Sequence, residues 1–353
     1  MIKALKRLLP IFLLTAATAL PAGASQADGI DYAAANAAIV QDHLLPRYHD
    51  FTTTTADLMT AAQKLCPDVG ATELEAVRRA FHTALDAWQT VEHIRQGPPA
   101  ATDAHIRVKF WPDRKSIVDK HLTRLMKNKN PDILTPKIYG HVSIAVQGFP
   151  AMERLLFAED AAARLKQTDT PVKPCAVVGA IAANLHAIAG DLEKRWTDDA
   201  AAGRKAKRVT TDLFNDLATG LGAVAELKLG APLGAEGHKP RPRRAENWRS
   251  GRALRNVVDN LVALKDLYDG LAAVPGAGLA GSPEGDFVAG QFDQVIKTAK
   301  SMGPSITDVL AEDKGPLRLK SLKGSILDLR EIVVQYVAGS LDLVLGFNAL
   351  DGD

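Results

Sequence analysis

The chain has 353 residues, with 43 basic against 41 acidic side chains and a net charge of +2. That balance gives no global electrostatic reason to bind nucleic acid, and the length is ample for a sizeable core. Aromatic residues are only 5% and strict apolar–polar alternation is nearly absent, so the pattern points to an all-α protein.

In chain order, residues 1–24 read as a secretory signal peptide. Lys3, Lys6 and Arg7 form its basic start, Leu8 to Leu20 its apolar run, and Ala22-Gly23-Ala24 an A-x-A cleavage signal. The apolar run is too short for a typical membrane span. No cysteine follows the cleavage site, so a lipoprotein anchor is not indicated. Cleavage after Ala24 removes three positive charges and no negative ones, taking the net charge from +2 to −1. The expected location is the periplasm or cell envelope. No later segment is read as a transmembrane anchor.

Helical periodicity then dominates. Asp31 to Cys66 reads as two helical pieces broken near Pro46. Thr72 to Arg95 is a helix with a Thr72–Glu75 capping box and an apolar face of Leu74, Val77, Phe81, Leu85 and Trp88. Pro112 suits a helix first turn, with Asp113 to Met126 following. Pro136 to Phe157 is expected to be one helix, bent at Val146–Pro150 because Gly148 and Pro150 are poor interior residues. Pro174 to Trp196 is the next helix. Asp198 to Arg204 marks a hinge. Arg204 to Leu229 is helical, Gly230 to Arg244 is a loop, and Ala245 to Leu271 is helical again. Val274 to Gly285 is a loop, and Asp286–Ser301, Ser305–Leu310 and Leu319–Leu345 complete the set. The expected organisation is a signal peptide (1–24), an N-terminal helical bundle (25–198) and a C-terminal helical bundle (199–353), as a duplicated four-helix arrangement. Cys66 and Cys175 are the only cysteines. In an oxidising compartment such a pair is expected to form a disulfide, two free thiols being the alternative.

The chemistry-bearing residues are few. Glu153 projects into an apolar helix face of Ala145, Phe149, Met152 and Leu156. A buried carboxylate is costly unless paired or bound to a cation, so Glu153 is expected to be buried and to touch a partner from a distant segment. Candidates are Glu92, His141, Arg249 and Arg255. Glu92 lies within the apolar arc of its own helix, or snorkels from its end. His82, Asp86 and His93 fall together on the opposite side, where solvated decoration is the ordinary reading and metal binding the sharper one. Trp111 and Pro112 read as a buried helix-start anchor. Glu246, Trp248, Arg249, Ser250 and Arg255 lie near a helix start, where an arginine could pair with Glu153 or Glu92 or bind an anion. Lys239, Arg241, Arg243 and Arg244 precede them, equally readable as an exposed basic loop. There is no H-E-x-x-H, no G-x-S-x-G elbow, no P-loop and no dinucleotide fingerprint.

Gly148-Phe149-Pro150-Ala151-Met152-Glu153 resembles the Gly-x-His-x-x-Glu signature of the imelysin family of bacterial cell-envelope proteins, with Pro150 in place of the histidine. Trp88 to Glu92, Phe110-Trp111-Pro112-Asp113, and Glu246 to Asn256 are similar to the family's Gly-x-Pro branch. The resemblance covers nearly the whole chain after the leader. It implies an all-helical protein of two bundle-like halves, linked to iron acquisition and classed by some as a metallopeptidase. Pro150 cannot ligate a metal through its side chain, so the peptidase reading stands second. The leading expectation is a periplasmic binding protein with a cleft between its halves. Gly148, Glu153, Glu92, Trp248, Arg249 and Arg255 are its candidate ligand residues, and Glu153, Glu92 and His141 its candidate metal ligands. The ligand is a small molecule, iron or another divalent metal, and the partners are envelope iron-uptake components. A non-catalytic structural or interaction module is the third reading.

Overall fold

Helices order the chain, and why each begins where it does decides where the site sits. The computed structural model describes residues 29–200, 205–235 and 237–343; the leader and most of the Asp198–Arg204 hinge lie outside the described residues. Every regular element among the described residues is helical.

Asp31 caps α1 (Tyr32–Ile39), accepting from the N–H groups of Ala33 and Ala34 at 3.1 and 3.0 Å. A π stretch, Val40–Leu44, then leads into α2 (Leu45–Leu65). Pro46 sits in the first turn of α2, where its missing N–H costs nothing, so the expected break is a widened turn just ahead of it. α3 is Ala71–Val91 with Gly70 as its N-cap. The expected Thr72–Glu75 box does not form, because the helix starts ahead of Thr72. Glu75 lies 3.9 and 4.0 Å from Arg78 and Arg79 instead. α4 is Ile117–Met126. It starts later than Asp113 because that carboxylate folds over the helix start, accepting from the N–H groups of Ile117 and Val118 at 2.7 and 3.1 Å.

The single bent helix expected over Pro136–Phe157 is three pieces. A turn, Pro136–Tyr139, and a 3₁₀ turn, Ile144–Val146, precede α5 (Phe149–Leu156). Gly148 is extended, with φ −131° and ψ −167°, and Pro150 falls in the first turn of a new helix. Gln147 pins the loop. Its amide donates to the carbonyls of Gly140 and Val142 at 3.1 and 2.7 Å and accepts from Arg107 Nε at 2.9 Å.

α6 (Pro174–Ala200) lies beside α2, which also packs on α3. α5 packs against both α3 and α6, completing a first helical group. The Cys66–Cys175 disulfide joins the end of α2 to the start of α6, with Cα atoms 5.2 Å apart. The Pro174–Asp198 stretch has the length and composition of a membrane span. Its Val177, Val178, Ile181, Leu185 and Leu192 are buried in the core.

α7 (Ala206–Gly222) runs into a second π stretch, Ala223–Leu229. With α8 (Ala253–Ala272), α9 (Pro283–Lys300) and α10 (Gly315–Ser340) it forms a second group. α8 begins later than the expected Ala245, and residues 246–251 form a turn. α1 packs on α7 and α8, where Asn36 donates to Ala206 O at 2.7 Å and accepts from Thr210 Oγ1 at 2.9 Å. α3 packs on α8, and one continuous hydrophobic cluster runs through both groups.

Candidate functional site

A cavity of about 650 Å³ opens where the 109–114 segment and α5 face the 226–235 and 243–249 segments. Its walls are chemically mixed: Trp88, Trp111, Phe149 and Trp248 among the aromatics, with Lys109, Arg154, Arg249, Glu153 and Glu246 among the charged groups.

Glu153 is buried at 3% exposure, as its place on the apolar face of α5 requires. The 246–251 turn brings Ser250 to it. The Ser250 N–H and hydroxyl both donate to Glu153 Oε1, at 3.0 and 2.7 Å. Burial pushes the Glu153 carboxyl upward, and the Ser250 bonds and the charges of Arg249 and Arg154 offset only part of that. The next residue is already engaged. Arg154 Nη2 donates to Asp113 Oδ2 at 2.9 Å, and its Nε lies 2.8 Å from Asp119 Oδ1.

Glu92 belongs to a different constellation. It ends α3 without reaching solvent, and a buried quartet of alternating charge surrounds it. Lys109 pairs with Glu92 and, at 2.7 Å, with Glu246. Lys228 closes the ring, 2.7 Å from Glu92 and 2.8 Å from Glu246. Lys228 also donates to Gln89 Oε1 at 2.6 Å, and Asn256 donates to Glu246 Oε2 at 2.9 Å. Burial alone would raise the Glu92 carboxyl, but the Lys109 and Lys228 ammonium groups outweigh it and hold the carboxyl well below its usual range. The second π stretch is what aims Lys228 inward.

Trp248 and Arg249 line the cavity. Arg249 stacks on Trp248 with its guanidinium carbon 4.4 Å from the ring centre, and Arg243 lies at 5.5 Å. Trp111 is half-buried and Pro112 exposed; they form a cavity wall and not the buried anchor expected of them. Gly148 is a packing residue: a Cβ there would lie 2.1 Å from Val108 O. Arg255 lies outside the cavity lining and donates to Asp259 Oδ2 at 3.0 Å. His141 is exposed on a turn.

The His82–Asp86–His93 group disperses to three partners. His82 stacks on Phe157, Asp86 pairs with Arg252, and His93 Nε2 lies 3.1 Å from His43 Nε2. Burial pushes both of that pair down, His93 to about 3. Sequence reasoning missed Lys109 and Lys228. The signal available was a lysine inside an apolar run, as in AVAELKLG around Lys228.

These residues do not fit a metal centre. Pro150 offers no ligand, Glu153 Oε1 is taken by Ser250, and Glu92 is neutralised by two lysines. Among the described residues no three His, Cys, Asp or Glu side chains converge to hold an ion. Glu153, Glu92 and His141 are therefore not brought together.

Two solved structures share the fold. An imelysin-like protein from Psychrobacter arcticum 273-4 has a TM-score of 0.74 and 21% identity, over 90% of this chain and 99% of that one. A putative iron-regulated protein A precursor from Parabacteroides distasonis ATCC 8503 has a TM-score of 0.65 and 14% identity, over 87% of this chain and 95% of that one. No curated protein matches the chain in sequence. The imelysin family model matches residues 44–331, and with the Gly148–Glu153 hexapeptide now placed as the start of α5, the chain belongs to the imelysin family.

Proposed function

We propose that this chain is an exported, non-catalytic binding protein of the imelysin family, serving iron acquisition in the cell envelope. Its two helical groups act as the halves of a binding cleft, divided near residue 198, and the ligand enters the cavity between them. Glu153, Trp248 and Arg249 face that ligand. Glu92 acts beneath it, holding Lys109 in place. The single observation that carries the reading is a roomy, mixed polar and aromatic cavity at the family hexapeptide, with no metal-ligand set among the described residues. The link to iron draws on the name of the Parabacteroides neighbour, and the export draws on the leader sequence.

The test is native mass spectrometry of the protein purified from the periplasm of its producing cell. We expect a chain starting at Ser25 that carries a releasable small ligand, and no such ligand on Ala231→Trp, which fills the cavity. A chain retaining its leader, or an empty cavity in both proteins, contradicts the proposal. Cleavage of a peptide library that Glu153→Gln abolishes would restore the peptidase reading.

A further inference from the structure

The polar groups left over in the cavity are nearly all of one sign. Asp113 is held by Arg154, Glu226 by Lys323 at 2.7 Å, and Glu246 by both lysines of the quartet. Glu153 Oε1 is occupied by the two Ser250 donors, and burial pushes the carboxyl upward. Arg154 is spent on Asp113 and Asp119. What remains is Arg114, Arg243, Arg244 and Arg249, all on the cavity wall. Among the described residues none of these four makes a side-chain ion pair or hydrogen bond, and Arg249 is half-buried.

A partly desolvated guanidinium with no directly bonded counter-ion is costly, and burial pushes Arg249 below its usual range, with the charges of Glu153 and Asp119 offsetting only part of that. Stacking on Trp248 fixes the plane of that guanidinium and leaves its donor fork free along the edge. Trp111 supplies a second half-buried indole on the same cavity, with the Lys109 ammonium 5.1 Å from its ring centre. A bare cation would meet repulsion from these guanidinium groups.

We infer that the cavity takes an organic anion with a flat unsaturated face, its acidic groups held by Arg249 and Arg243 and its face by Trp248 and Trp111. This deepens the binding reading above and rests on it. Specificity then follows from charge and shape together. A compact inorganic anion gains the arginines but not the indoles, and a flat cation gains the indoles against the arginines.

The experiment is isothermal titration calorimetry of the full exported chain with three probes: benzene-1,2,4-tricarboxylate, inorganic phosphate and benzyltrimethylammonium. We expect saturable binding of the tricarboxylate, weakened at least about tenfold in Arg249→Gln and again in Arg243→Gln, with Arg164→Gln on the outer surface unchanged. Phosphate should bind at least about tenfold more weakly, because it cannot stack. Thermal melts of the arginine variants should stay close to the parent, since each loses no more than a partly exposed contact with Trp248. Absence of tricarboxylate binding, parental affinity in both arginine variants, or phosphate binding as tight as the tricarboxylate overturns the inference. Binding of benzyltrimethylammonium that Ala231→Trp abolishes overturns it too, while leaving the cavity a binding site. Failure of all three probes, together with no ligand released from the native protein, defeats the binding reading as well.

Discussion

Glu153 and Glu92 are both buried carboxylates, yet their surroundings drive them in opposite directions. Glu92 sits between two ammonium groups and is held ionised, whereas Glu153 receives neutral donors from Ser250 and is pushed upward. A residue accepting neutral hydrogen bonds tolerates an amide in its place, because the glutamine oxygen accepts the same two donors. Glu153→Gln should therefore cost less than about 1 kcal/mol in urea unfolding, the scale of one exchanged hydrogen bond. A loss on the scale of a broken buried ion pair would show that Glu153 is ionised and paired after all. Asp216 gives the pH counterpart. Burial raises its carboxyl to about 8, only partly offset by the backbone N–H groups of Arg95 and Gln96. The folded pKa lies above the ordinary 3.8, so the folded state holds the proton more tightly. Its favourable contribution is complete below about pH 4 and is lost as pH rises through about 8. Asp216→Asn should match the parent near pH 4 and exceed it in stability at pH 8. A parallel fall of both proteins between those values would rule this out.

Elements carry the site because of where they stop. The α5 start can lie against the Arg107–Val108 backbone only because Gly148 has no side chain, and the atom it would strike is a carbonyl that cannot rotate away. Gly148→Ala should cost about 3 kcal/mol, the upper part of the range for overpacking. Gly190→Ala, in α6 with nothing within 4 Å of the added carbon, should instead stabilise slightly. Paired chemical melts of the two variants check both signs. The same contrast explains what the sequence could show. Gly148 and Pro150 disclosed that a straight helix was impossible. Whether the chain would bend or restart depended on a backbone 40 residues away, which no local pattern reports. The two π stretches were equally hidden. Val40–Leu44 turns His43 toward His93, and Ala223–Leu229 turns Lys228 toward Glu92, so both widened turns aim polar groups at the end of α3. Helical periodicity marks such segments only as helix.

At the scale of the molecule, the all-α architecture, the long helices and the Cys66–Cys175 bridge were legible, because periodicity and cysteine count are properties of the chain itself. Partnerships across segments were not. Glu92 was visible as an anomaly, but nothing in its neighbourhood names Lys228, which is 136 positions away. The quartet matters to the whole fold because its members come from the end of α3, the segment after it, the second π stretch and the turn before α8. With two lysines and two glutamates it is neutral, and each charge has two opposite neighbours. Removing one lysine leaves two buried carboxylates sharing the other. Lys228→Met should therefore cost about 3–5 kcal/mol, the range for breaking a buried ion pair from one side. Adding Glu92→Gln restores charge balance, so the double variant should be more stable than Lys228→Met alone. Urea unfolding of the parent, both single variants and the double variant gives the coupling directly. The expected sign is a double-variant loss smaller than the sum of the single losses. Strict additivity would mean that the two charges do not sense each other, and the quartet would then be four separately tolerated residues instead of one connection between the helical groups.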